Sequence, residues 1–262
     1  MKKTIIFLAC LLVMAPFAFA EESESPPGEA RTVLQTQEQT NKDEKAYLQA
    51  MHQHQFREQN VLHIQNMIQE AQTKGLPTEP MQNKVHEGIA KKADEEAIVR
   101  AVERVQNRYE TAYQHSRGLF DDPQQVRSMG NRFAEANAAG LTNENAAMIM
   151  EQLQNRTRSM NRDQAFELVE ETVKGARDMA RQGVPSPAVT NVYADALKHG
   201  YQAKDMQTMQ QSFANQARHG NPENVAHSFS QGISQGHGAG GLGGSGGAGA
   251  GSGGGGMGGG GM

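Results

Sequence analysis

The chain has 262 residues, is 37% hydrophobic and 5% aromatic with no Trp, and carries a formal net charge of −4. A mildly acidic chain with no basic block is a poor match for nucleic acid or an anionic lipid surface. The single cysteine, Cys10, lies in an N-terminal segment that reads as removable, so the remainder has no thiol for disulfides, thiolate metal sites or thiol catalysis.

Residues 1–20 start basic (Lys2, Lys3), continue apolar and end small-x-small at Ala18-Phe19-Ala20. This is the pattern of a bacterial-type secretory signal cleaved after Ala20, too short and wrongly flanked for a membrane span. An uncleaved anchor is the competing reading. A lipoprotein cut before Cys10 is disfavoured, because it would leave an apolar string at the new N-terminus. The expected location is periplasmic or secreted. Losing Lys2 and Lys3 with no acid takes the net charge to −6. Residues 21–42 are polar, contain Pro26-Pro27 and lack large apolar clusters, the composition of a disordered leader.

A helical domain is expected over 43–235. Val61, Ile64, Ile68 and Ala71 recur at i, i+3, i+7, i+10 among many glutamines, a narrow seam that suits an outer helix laid on others or one that pairs with a partner helix. Gly75-Leu76-Pro77-Thr78, Gly140-Leu141-Thr142-Asn143 and Gly183-Val184-Pro185-Ser186 then read as repeated stop-and-start signals. Glycine takes the left-handed position after a helix, the apolar residue packs back on the last turn, and a capping residue opens the next helix, with Ser186 before Pro187 the clearest case.

The helices are expected in pairs near 75–117, 140–182 and 183–220. The first two units share a length of 43 residues and align Gly75 with Gly140, Leu76 with Leu141 and Glu79 with Glu144. Between them a single helix is expected, opened by Asp122-Pro123 and burying Val126, Met129, Phe133 and Ala136. The third pair breaks at His199-Gly200, and Asn221-Pro222 opens a last short helix carrying Val225 and Phe229. Units this small bury their apolar faces only by stacking on neighbours. The fold class is therefore all-α: stacked helical hairpins, arranged as a short solenoid-like array or an irregular bundle. Tetratricopeptide signature residues are absent. Residues 236–262 hold 18 of the 29 glycines and read as a glycine-rich disordered tail.

Candidate chemistry is thin. His52 and His54 sit two apart, on different sides of a helix, and the i, i+4 pair of helical zinc ligands is missing. Met148 and Met150, Met206 and Met209, and His237 near Met257 and Met262 form the candidate set for soft-donor copper binding. Met is also an ordinary gap-filler where aromatics are scarce. Asp94-Glu95-Glu96 opens a helix, where negative charge complements the dipole, and Glu167, Glu170 and Glu171 fall on a polar helix face. No nucleophile motif or phosphate loop is present.

The expectation is a non-enzymatic scaffold that binds a protein partner in the cell envelope. It would have no cofactor, no nucleic-acid partner and no membrane span once the signal is cut. The alternatives are a Met/His metal-binding envelope protein and a cell-wall hydrolase.

Overall fold

The computed structural model describes residues 46–243. The signal segment 1–20, the leader 21–42 and tail residues 244–262, with Met257 and Met262, lie outside the described residues. Helical turns over 46–53 (α1) lead into α2 (Glu58–Thr73), α3 (Glu79–Ala90), α4 (Glu95–Arg117), α5 (Pro123–Ala138) and α6 (Asn143–Thr157). They are followed by α7 (Arg162–Arg181), α8 (Ser186–Lys198), α9 (Ala203–Ala217), α10 (Pro222–Ser234) and a 3₁₀ turn (Ala239–Gly243). No strand occurs among the described residues. The protein is all-α and stacked.

The stops work as the sequence implies. Gly140 has φ +122° and Gly183 φ +83°, values that side chains resist and glycine does not. In each case the next amide reaches back five residues: Leu141 N–H to Ala136 O at 3.1 Å and Val184 N–H to Met179 O at 3.2 Å. The same closure recurs at Gly75, Gly200 and Gly236. Leu76, Leu141, Val184 and Tyr201, the residues after four of these glycines, are all buried, which completes the motif's apolar contact. Gln55 and Lys92 adopt the same left-handed geometry without being glycine.

Two starts differ from the sequence reading. Ser186 does not cap its own helix: α8 begins at Ser186, Pro185 precedes it, and no side chain caps it. Its hydroxyl instead accepts the Thr142 N–H at 2.9 Å, the residue before α6. Thr78, the residue before α3, likewise makes no side-chain cap. The last helix starts as read, with Asn221 accepting from the Glu223 and Asn224 amides that open α10.

Alternate helices stack in parallel. Along α2 and α4 the cross-links run Arg57–Glu95, His63–Glu103 and Lys74–Glu110. Between α5 and α7 they run Gln125–Arg162, Arg132–Glu170 and Glu135–Arg177. Between α6 and α8 they run Thr142–Ser186, Asn145–Thr190 and Arg156–Gly200. Both numbers rise together in every series, so in these three pairs a helix runs parallel to the next but one, as a stacked-hairpin array requires.

Burial follows two apolar clusters. Tyr47, Met51, Ile64, Met81 and Ile98 belong to one, from α1 to α4; Met129, Leu153, Leu168, Tyr193 and Phe213 belong to the other, which extends to Leu242. Tyr109 and Val126 touch both. Two helical glycines permit close crossings: a Cβ at Gly130 would lie 2.4 Å from the Tyr113 ring, and one at Gly175 would lie 2.0 Å from Tyr193 Oη.

The folded part also runs past the expected boundary at residue 235. Ala239 and Leu242 are buried, the 3₁₀ turn packs on α9 and α10, and Gln216 Nε2 donates to Leu242 O at 2.9 Å. Two apolar residues and one fixed carbonyl are enough to hold the first part of a segment that composition alone marks as coil.

Candidate functional site

Parallel stacking brings the C-terminal ends of α2, α4, α6, α8 and α10 to one edge. Carbonyls there lack helical partners, and neighbouring turns supply them. Arg117 Nη2 donates to Lys74 O at 2.8 Å, Arg156 Nη2 to Gly200 O at 3.2 Å, and Tyr201 Oη to His237 O at 2.5 Å. Along this edge the α2, α8 and α10 turns close on glycine. The α4–α5 and α6–α7 turns do not: Gly118 has φ −74° and Arg158 φ −53°.

Between those two unclosed turns the surface opens. A cavity of about 640 Å³ lies among Gly118–Asp121, Gln154, Thr157, Arg158, Met160 and Arg162. A hollow of about 470 Å³ between the starts of α5 and α7 shares Gln125 and Arg162 with it. Another of about 470 Å³, toward Gly75 and Tyr113, shares Phe120 and Asp121. The three are contiguous around residues 118–122.

Phe120 forms the floor and meets Phe166 edge-on, with ring centroids 5.5 Å apart. Asp122 fixes one wall: its carboxylate accepts from the Gln124 and Gln125 amides at 2.9 and 3.0 Å and pairs with Arg162 at 2.9 Å. These donors, the Gln125 amide first, hold its carboxyl below the usual range. Arg162 is fixed from its other side by Gln125 Oε1 at 3.2 Å. Arg117 lies over the Tyr113 ring, 5.9 Å from its centroid. Among the described residues Asp121, Arg127 and Arg158 make no ion pair. The result is an aromatic floor rimmed by glutamine, arginine and aspartate, with three charges free to meet an incoming group.

The sequence candidates fall elsewhere. Met206 and Met209 are fully buried beside Phe213, and Met150 is buried in the same cluster, whereas Met148 is 50% exposed on the other side of α6. His237 is exposed on the turn after α10, where its carbonyl serves Tyr201. The structure does not bring Met148 together with the buried methionines. His52 and His54 are exposed. Among the described residues no group of three or more His, Cys, Asp or Glu is gathered as for a metal ion.

Of the acidic clusters, Glu95, Glu96 and Glu170 cross-link neighbouring helices, and Glu171 pairs within α7. Glu95 receives Asn60 Nδ2 at 2.7 Å and the Arg57 amide at 3.0 Å, and Glu96 receives the Arg57 guanidinium. Glu170 pairs with Arg132 and Glu171 with Lys174. Compared with protein families, curated proteins and solved structures, the chain has no match. Among the described residues no helix is long and apolar enough to cross a membrane.

Proposed function

We propose that the chain is an exported, non-enzymatic helical scaffold that binds a protein partner of the cell envelope, and that the recess around residues 118–122 is where the partner docks. The observation that carries this reading is the recess itself. It is the place on the turn edge where two successive turns lack the glycine closure and where Asp121, Arg127 and Arg158 stand without ionic partners among the described residues, beside an aromatic floor. Anchors of this kind, an aromatic and arginines at the centre with a polar rim, dominate the energetics of protein interfaces. Stacked helical arrays commonly present such surfaces to peptides or helices.

The test is site-specific photo-crosslinking in cells. A photoreactive residue at Gln125 or Arg158 is expected to give a discrete adduct, and the same residue at the remote Gln231 none. Reversing two charges, Arg127→Glu with Arg158→Glu, removes the adduct formed from Gln125 while the melting curve is unchanged. Equal labelling from Gln231, or an adduct that survives the charge reversal, rules out the recess as the docking surface.

A further inference from the structure

A second recess, independent of the first, lies between α7, α8 and α9. Its volume is about 300 Å³, at the small end for ligand sites. Tyr193 lines it from α8; the whole residue is buried, and among the described residues its hydroxyl has no hydrogen-bond partner. A buried hydroxyl left unpaired costs stability that phenylalanine at the same position would not lose. Gly175 leaves the room for that hydroxyl, since a Cβ there would lie 2.0 Å from it and 2.6 Å from Gln210 Cγ. Gln210 closes the other side, its Nε2 donating to Glu171 O at 2.5 Å.

Surrounding charges cancel in pairs: Asp178 faces Arg177 at 3.0 Å and Arg181 at 4.0 Å, and Glu171 faces Lys174 at 3.1 Å. Burial lifts the Tyr193 phenol well above its ordinary 10, so the oxygen keeps its proton and has one to donate. An anionic acceptor would be desolvated at far greater cost than a neutral carbonyl and would face the Asp178 and Glu171 carboxylates. Met179, Phe213 and Ala214 supply apolar wall.

We infer that the α7–α9 recess binds a neutral carboxamide on a short apolar stem, its carbonyl accepting from Tyr193 and its amide group replacing the contacts of a displaced Gln210 side chain. A glutamine or asparagine side chain of a polypeptide and a free small amide share this chemistry.

The test is ¹⁵N–¹H NMR of the purified chain titrated with N-acetylglutamine methylamide, propionamide, N-acetylglutamate methylamide and N-acetylnorleucine methylamide. Saturable shifts at the Gly175, Tyr193 and Gln210 amides are expected with the first two. Tighter binding of the blocked glutamine identifies a polypeptide source, and equal or tighter binding of propionamide a free amide. The glutamate and norleucine probes should bind at least about tenfold more weakly, ~1.4 kcal/mol. Tyr193→Phe should keep or raise the melting temperature and abolish the saturable shifts. The inference is overturned by absence of saturable shifts at those amides, by norleucine or glutamate binding as tightly as glutamine, or by undiminished binding in Tyr193→Phe.

Discussion

Two kinds of turn share one edge of this molecule. Those after α2, α8 and α10 are closed by a left-handed glycine, a six-residue hydrogen bond and a returning side chain. Those after α4 and α6 stay in the right-handed region and leave a recess between them. Closed turns fold a six-residue backbone bond and the residue after the glycine onto their own helix end, whereas the α4–α5 turn closes with shorter bonds, Gly118 to Gln114 and Phe120 to Ser116, and buries Phe120 beneath the recess. Structure and candidate function are thus divided along the chain by the presence or absence of a single backbone conformation.

The largest expected effect lies away from both kinds of turn, at a helix crossing that holds them in register. Gly175→Ala places a methyl against Tyr193 Oη and Gln210 and should cost about 3 kcal/mol, overpacking at its upper range, read by thermal or urea melts. A sharper test pairs glycines of the same edge. Gly200→Ala must hold φ +84° and should cost roughly 1–2 kcal/mol. Gly118→Ala stays in a helical conformation, and its Cβ meets mainly the end of the Gln154 side chain, so a loss of about 0.5 kcal/mol or less is expected. Equal losses would erase the distinction between closed and open turns.

Next comes Asp122→Ala. It removes the acceptor of two α5 amides and the partner of Arg162, for about 1 kcal/mol as a lost cap. The smallest effect is one of pH. His115, on the last turn of α4, touches Phe133, and its buried Nε2 has no partner among the described residues. Burial holds its pKa below 6.5, so on acidification the unfolded chain takes the proton first. Stability from this group is complete above about 6.5 and declines as pH falls through it toward the folded value. His115→Leu should flatten that part of a stability-versus-pH curve; an unchanged slope would assign it to other groups.

Much of the fold is legible in the residues. Gly75, Gly140 and Gly183 announce their turns because only glycine tolerates the geometry, and α5 can be written down from Asp122-Pro123 and the spacing of Met129 and Phe133. Gly130 and Gly175 are not legible as contacts: the partners they admit, Tyr113 and Tyr193, come from other helices. Nor does Ser186 reveal that it serves Thr142, 44 residues away, although its place before a proline is what a cap should look like. The recess has no local signal because its lining comes from parts of α4 to α7 joined only by stacking. Ala239 and Leu242 show the converse, two small anchors outvoting a glycine-rich composition.

Everything rests on alternate helices running parallel, and the absence of cysteine after Cys10 makes that directly measurable. Thr142 and Ser186, whose hydroxyl oxygens are 3.5 Å apart, should form a disulfide readily in the Thr142→Cys, Ser186→Cys double variant under mild oxidation. The Thr142→Cys, His199→Cys variant, which joins the start of α6 to the end of α8, should not. Cross-linking of the second pair in preference to the first would mean that α6 and α8 run antiparallel, and the shared turn edge with its recess would not exist.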